Sequence, residues 1–174
     1  MEQYRYRPLR FYIICFAITW TFWIFAAVIS KSPNDNGISA LLMLLGLTAP
    51  AITAVITVLT SGSKALKADL RRKLIGFYRI KPLSIIAAVL GFMVIVFLSI
   101  LFSVLAGQSL EQLSFTEDFS FSVGGTSALL TILLAAVIEE VGWRGYGEDS
   151  VASYFSWFTE SVIFGFVWAL WHLP

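Results

Sequence analysis

Five long apolar segments dominate this sequence and constrain its fold more than any other feature. They cover residues 11–29, 38–59, 83–106, 126–138 and 157–174. A helix needs about 20 residues to cross the hydrocarbon core of a bilayer, and lipid offers no hydrogen bonds to an open backbone. The segments therefore predict an all-α protein, a polytopic transmembrane bundle of about five hydrophobic helices. We expect residues 1–174 to form one transmembrane domain.

Composition supports a membrane protein and argues against a nucleic-acid partner. The chain is 58% hydrophobic and 13% charged, whereas soluble domains carry about 25% charged residues. The formal net charge is only +1, which gives no general attraction to nucleic acid. We therefore expect membrane lipids as partners and no nucleic acid. Cys15 is the only cysteine, so no intrachain disulfide is expected.

The segment 61–82, between the second and third apolar segments, is strongly basic. Its leucines recur at helical spacing, which predicts an interfacial amphipathic helix with its cations toward lipid headgroups. Together with the arginines of the first ten residues, this segment predicts a cytoplasmic N-terminus by the positive-inside rule. The basic residues of the segment are Lys64, Lys67, Arg71, Arg72, Lys73, Arg79 and Lys81, and its apolar residues at helical spacing are Leu66, Leu70, Leu74 and Phe77.

Ionisable residues inside the last two apolar segments are the candidates for function. Glu139 and Glu140 follow the fourth segment, and His172, the only histidine, lies in the fifth. Charged groups at such depth mark functional sites by default. Glu140 and Arg144 are four residues apart, the helical spacing of an ion pair, so Glu139 has no partner on its own helix. Glu139 is then a candidate general base, and His172 a group that positions water, stabilises an oxyanion or binds a metal. The alternative is a purely structural Glu–Arg pair and a hydrogen-bonded histidine.

These residues lie in two motifs that resemble those of a known family. Residues 139–144, Glu-Glu-Val-Gly-Trp-Arg, match the E-E-x-x-x-R motif of the CAAX-processing and bacteriocin-processing (CPBP, or Abi) intramembrane proteases. The segment Phe164–Pro174 resembles the second motif, F-x-x-x-H, with Trp168 where the family often has phenylalanine. The third motif carries a second histidine, which this sequence lacks. We therefore expect a protease core truncated before its C-terminal helices.

The resemblance implies an intramembrane endopeptidase, a peptide hydrolase, in a bacterial plasma membrane with its site open to the cytoplasm. By resemblance, Glu139 activates water, His172 positions that water or stabilises the transition state, and Arg144 holds Glu140. The implied substrate is a peptide or protein, either prenylated or a bacteriocin precursor. No cofactor is required in the family's leading mechanism. If the protein is instead an intramembrane metalloprotease, zinc or another divalent metal would bind Glu139 and His172, although catalytic zinc usually has about three protein ligands.

Two other functions remain open at this point. The first is a non-catalytic membrane protein, a bacteriocin immunity or scaffold factor that uses the same fold for binding. The second is a transporter with Glu139 as a proton or ion site, which would show broken helices in a repeat, and the sequence has no visible repeat. Because the second histidine is absent, we expect the 174-residue chain alone not to cleave peptides at a useful rate.

A shared site for Glu139 and His172 also makes a geometric demand. Residues equidistant from the turn of an antiparallel helical hairpin lie level, and the midpoint of 139 and 172 falls between Phe155 and Ser156. The helix that carries Glu139 must therefore continue through Gly145 and Gly147 and turn near residues 153–156. In the competing model the chain turns at Gly147, which leaves His172 about 25 Å beyond the level of Glu139.

Overall fold

The computed structural model describes residues 4–76, 81–113 and 128–174, and all the regular secondary structure in them is helical. Three helices, α1, α2 and α4, are long and apolar enough to cross a membrane, and α7 is apolar but shorter. The predicted all-α membrane bundle is thus confirmed, and the chain is an integral membrane protein. The elements are α1 (Pro8–Ile29), α2 (Ile38–Thr60), α3 (Lys64–Ile75), α4 (Pro82–Leu105), a 3₁₀ turn (Leu110–Leu113), α5 (Ala128–Gly142), a π-helical turn (Trp143–Gly147), α6 (Glu148–Ala152) and α7 (Trp157–Trp171).

These elements fall into two compact units. The first comprises residues 1–75 and 122–174 and contains α1–α3 and α5–α7, whereas the second, residues 76–121, contains α4 and the 3₁₀ turn. Helix α4 has no buried residue and is apolar on all its faces, as expected of a helix whose surroundings are lipid. The single transmembrane domain expected for residues 1–174 stays a prediction.

Helices α1, α2 and α7 are joined by side chains that reach backbone carbonyls. Thr19 Oγ1 donates to Gly46 O at 2.9 Å, and Trp23 Nε1 donates to Met43 O at 3.0 Å. A Cβ atom on Gly46 would lie 2.4 Å from the Trp23 ring, so only glycine permits this approach. Trp171 Nε1 donates to Thr19 Oγ1 at 2.9 Å, which fixes the end of α7 on α1.

Helices α2 and α5 make their closest approach where Gly142 meets Pro50. Pro50 lies inside α2 and is buried. A Cβ atom on Gly142 would lie 2.4–2.5 Å from Pro50 atoms and 2.7 Å from the nitrogen of Ala51. Because backbone atoms cannot move aside cheaply, glycine is required here. The contact lies three residues beyond Glu139 and holds that turn of α5 against α2.

The helix that carries Glu139 continues as the hairpin geometry demands. Gly142, Gly147 and Glu148 all have right-handed helical backbone angles, so α5, the π turn and α6 form one continuous path to Ala152. The chain then turns, and Ser156 caps the start of α7. The predicted turn near residues 153–156 is confirmed, and the competing turn at Gly147 is wrong. The π turn itself was not predicted.

Close packing explains the glycines in this path. A Cβ atom on Gly145 would lie 3.0 Å from Leu70 of α3, and one on Gly147 would lie 3.1 Å from Phe11 of α1. The helix-propensity cost of glycine, about 1 kcal/mol each, is offset by the approach of two neighbouring helices, a common use of small residues in membrane helices.

The basic segment forms a helix, but its apolar face contacts protein. Leu66 and Leu70 are 4% and 7% exposed and belong to the hydrophobic core that α3 shares with α2 and the π turn. Leu74, in contrast, is exposed. The prediction of lipid contact for this face is therefore wrong for its first two leucines. Phe77 and Arg79 lie outside the described residues, and headgroup binding by the remaining cations stays a prediction.

Candidate active site

Glu139 and His172 meet in the α5–α7 hairpin, away from its turn. Glu139 lies on α5 and His172 directly follows α7, and Glu139 Oε1 is 3.9 Å from His172 Nε2. The side chain of Glu139 is 14% exposed and that of His172 is 38% exposed. The predicted proximity of the two residues is confirmed. Their predicted catalytic roles stay predictions.

Glu139 is held by two indole groups. Trp143 Nε1 donates to Glu139 Oε1 at 3.0 Å, and Trp168 Nε1 donates to the same oxygen at 2.8 Å. The prediction that Glu139 lacks a partner on its own helix is therefore wrong. Trp143 lies one turn further along the same helical path, at the start of the π turn, and binds Glu139. Both donors are uncharged. They orient the carboxylate without neutralising it, unlike the guanidinium of an arginine.

The ring of His172 is oriented by the backbone of α7. Its Nδ1 lies 2.9 Å from the carbonyl oxygen of Trp168. Because a carbonyl can only accept, Nδ1 carries the hydrogen of this contact, and Nε2 is the ring nitrogen on the side of Glu139. The ring also packs at 4.3 Å from Trp168 and 4.6 Å from Trp171, measured between ring centroids. The orientation of His172 is thus fixed on three sides.

Glu140 and Arg144 form the predicted ion pair on a different face of the helix. Arg144 Nε lies 2.9 Å from Glu140 Oε2, and Arg144 Nη1 lies 2.8 Å from Glu148 Oε2. The guanidinium carbon also lies 5.0 Å above the ring of Phe164 in α7. Arg144 therefore connects α5 to α6 across the π turn and contacts α7 as well. The second partner, Glu148, was not predicted.

Aromatic packing fixes Trp143, one of the two indoles that hold Glu139. Trp143 is fully buried, and its ring meets those of Trp171 at 5.3 Å, Phe11 at 6.1 Å and Phe164 at 6.1 Å, edge to face in each case. Such contacts add about 0.5–1.5 kcal/mol each beyond burial. The donor to Glu139 therefore belongs to the rigid core of the protein.

Lys73 of α3 fastens the π turn from the other side. Glu148 N binds Trp143 O at the i to i+5 spacing of a π turn, and the next carbonyl, that of Arg144, accepts from Lys73 Nζ at 3.0 Å. Lys73 also pairs with Asp69 and Asp149. Burial acts to raise the pKa of Asp69, but hydrogen bonds and charge from Arg72 and Lys73 outweigh it and hold that pKa below its usual value. Lys73 is thus the centre of a charged cluster beside Arg144.

Trp143, Trp168 and Lys73 were not recognised as parts of the site from sequence. The two tryptophans carry a usable signal, because Trp143 is four residues after Glu139 and Trp168 is four before His172. That spacing places each indole on the same helical face as its neighbour. Lys73 carries no such signal, because its acceptor is a backbone carbonyl 71 residues away.

The described residues do not fit a catalytic zinc site on their own. Among them no group of three or more His, Cys, Asp and Glu side chains lies close enough to hold a metal. Glu139 and His172 supply two ligands, whereas catalytic zinc usually has three from the protein. The zinc that the sequence left open stays untested.

Comparison with known proteins agrees with the motifs. Residues 122–174, which carry Glu139, Arg144 and His172, match the family model of the type II CAAX prenyl endopeptidases, described as Rce1-like. Over its whole length the chain is 38% identical to a CAAX prenyl protease 2 of Methanococcus maripaludis. It covers 64% of the length of that relative. On these matches, the chain is similar to CAAX-type proteases, and the residues that match the family model include both motifs.

Proposed function

We propose that this chain carries the water-activating half of an intramembrane endopeptidase site. The observation that supports the proposal is the pair of proton acceptors at Glu139 Oε1 and His172 Nε2, 3.9 Å apart. That separation is shorter than two hydrogen-bond lengths, so one water oxygen about 2.8 Å from both atoms fits between them. Such a water donates one hydrogen to each acceptor and turns a lone pair toward a substrate carbonyl.

In the proposed reaction the water oxygen attacks the carbonyl carbon of a peptide bond while Glu139 takes one proton. The carbonyl oxygen becomes negatively charged in the tetrahedral intermediate. When the carbon–nitrogen bond breaks, Glu139 returns the proton to the leaving amine, so the carboxylate is regenerated. A positioned general base of this kind accelerates a reaction about 10²–10⁴-fold.

The other predicted site residues receive different roles. His172 positions the water, because its Nε2 faces Glu139 as an acceptor while Nδ1 is committed to the Trp168 carbonyl. Arg144 and Glu140 hold the helical path that carries Glu139, since Arg144 pairs with carboxylates on both sides of the π turn. We assign no proton transfer to Glu140, because its carboxylate is paired with Arg144 and its side chain is 51% exposed.

The proposed substrate class rests on the names of the matching family model and of the Methanococcus relative. Both names refer to CAAX prenyl proteolysis, which favours a prenylated protein over a bacteriocin precursor as substrate. The apolar exterior of the chain suits a substrate held in the membrane by a lipid anchor. We also propose that the protein lies in the plasma membrane and that its N-terminus is on the cytoplasmic side. No observation favours the non-catalytic immunity or scaffold function.

A cleavage assay tests the proposal. The substrate is a quenched fluorescent peptide with a farnesylated cysteine near its C-terminus, presented in liposomes. The assay uses two proteins. One is the chain itself, and the other is a chimera that joins this chain to the part of the Methanococcus relative that it does not cover. We expect Glu139→Gln to lower the cleavage rate about 10²–10⁴-fold. Glu111→Gln, outside the site, serves as the matched control. Equal cleavage rates for the chimera and for its Glu139→Gln variant would contradict the proposal.

A further inference from the structure

We propose that a groove between α1 and α2 is a binding site for an anionic phospholipid. The groove encloses about 470 Å³, within the usual size range of ligand sites. Its lining includes Tyr146 but not Glu139, Trp168 or His172. It is therefore distinct from the candidate active site, and no lipid function follows from the peptidase proposal.

The groove is polar at one end and apolar at the other. Arg5, Arg7 and Arg10 line the end near the start of α1, and Ile14 and Ile18 line the wall further along the same helix. From Arg10 to Ile18 the groove extends about 12 Å along the helix axis. Because α1 crosses the membrane, this order places the cations at headgroup level and the isoleucines at acyl-chain level.

The three arginines are available for a phosphate. None of them forms an ion pair with a carboxylate in the part of the chain that the structure describes, and all three are exposed. Arginine binds phosphate through paired N–H donors. A cluster of unpaired cations at the mouth of an apolar groove between transmembrane helices is the chemistry that recognises anionic headgroups.

The choice of a phospholipid over other ligands follows from the two ends together. A free phosphate would satisfy the arginines but leave the isoleucine wall exposed. A neutral lipid would cover the wall but leave the arginines without a counter-charge. A phospholipid with net negative charge satisfies both, and phosphatidylglycerol is the simplest probe of that class.

Lipid binding to the purified full chain in a neutral detergent tests this site. Native mass spectrometry compares the retention of phosphatidylglycerol with that of phosphatidylcholine of the same chain length. We expect tighter retention of phosphatidylglycerol, and about 100-fold weaker binding when Arg5, Arg7 and Arg10 are all changed to Gln. The matched control, with Lys64, Lys67 and Arg71 of α3 changed to Gln, removes the same charge away from the groove and should leave retention nearly unchanged.

A second pair of variants tests the groove without changing charge. Ile52→Trp fills the apolar wall, because Ile52 lines the groove, and should abolish retention of phosphatidylglycerol. Ile13→Trp places the same bulk on an exposed position of α1 outside the groove and should have no effect. This pair decides the matter if the triple arginine variant fails to fold.

Four outcomes would overturn the proposal. Equal retention of phosphatidylglycerol and phosphatidylcholine would show that the site does not select charge. Equal losses for the two triple variants would show diffuse attraction and no site. Full retention by Ile52→Trp, or competition by glycerol phosphate as strong as that of the whole lipid, would show that the groove does not hold acyl chains.

Discussion

Glu139 and Glu140 are neighbours in the sequence, but they lie in regions of the helix with opposite chemistry. Glu139 faces α7, where two uncharged indoles hold it and His172 lies 3.9 Å away. Glu140 faces Arg144 and is 51% exposed. A guanidinium places a positive charge beside the carboxylate that it binds, whereas an indole N–H orients a carboxylate without adding a charge. One step of about 100° along a helix thus separates the carboxylate that we propose as the general base from one that is ion-paired.

The largest expected effect tests this difference directly. Glu140→Gln removes a charge next to that of Glu139 and leaves Arg144 paired with Glu148. We expect it to lower the cleavage rate about tenfold, against the 10²–10⁴-fold loss for Glu139→Gln. Steady-state kinetics on both variants measure the ratio. Equal losses of cleavage rate in the two variants would show that the two carboxylates act as a unit. The difference between the two regions would then not hold.

The indole region allows a finer test. Trp168→Phe keeps an aromatic ring but removes the N–H that binds Glu139 Oε1. One hydrogen bond to a charged group contributes about 1.5–3 kcal/mol, so we expect a loss of about tenfold or more in kcat with little change in thermal stability. Trp157→Phe, on an exposed tryptophan at the start of α7, is the matched control. If Trp168→Phe and Trp157→Phe have the same rate, the indole does not orient Glu139.

The smallest expected effect concerns the charged cluster of α3 and its pH dependence. The pKa of Asp69 is lowered in the folded protein, so its contribution to stability is present above the unfolded pKa and is lost as the pH falls through the folded pKa. We expect the thermal unfolding temperature to drop below about pH 4, and Asp69→Asn to reduce that drop. Because the pair is partly exposed, its contribution stays below about 1 kcal/mol. If the unfolding temperature of Asp69→Asn falls as much at low pH as that of the wild type, Asp69 does not cause the pH dependence.

The part of the site that was predicted from sequence rests on periodicity. The E-E-x-x-x-R spacing predicts the Glu140–Arg144 pair, and the level of His172 relative to Glu139 predicts the position of the turn near residues 153–156. Both follow from one helix geometry, which holds in lipid because a helix forms all its backbone hydrogen bonds within itself. The same helical spacing places Trp143 beside Glu139 and Trp168 beside His172. It was not used, because a tryptophan in an apolar segment is usually interpreted as a packing residue.

What was not predicted depends on contacts between distant parts of the chain. The π turn exists where Gly142, Gly145 and Gly147 allow α2, α3 and α1 to approach, and no local pattern specifies that approach. Lys73 looks like one cation among seven in a basic loop, yet it alone donates to the Arg144 carbonyl in the described structure. Leu66 and Leu70 turn the apolar face of α3 toward the rest of the protein. The helical spacing of these leucines does not predict this, because the same spacing suits a helix whose apolar face contacts lipid.

The central claim is that Glu139 and His172 act on one water, and a double-mutant cycle tests it most directly. Cleavage rates are measured for Glu139→Gln, His172→Gln and the variant with both changes, in the same liposomes. Groups that act as a unit are strongly non-additive. The account predicts that the double variant is about as slow as Glu139→Gln alone. A double variant whose loss equals the product of the two single losses would show that the residues act independently and would contradict the shared water.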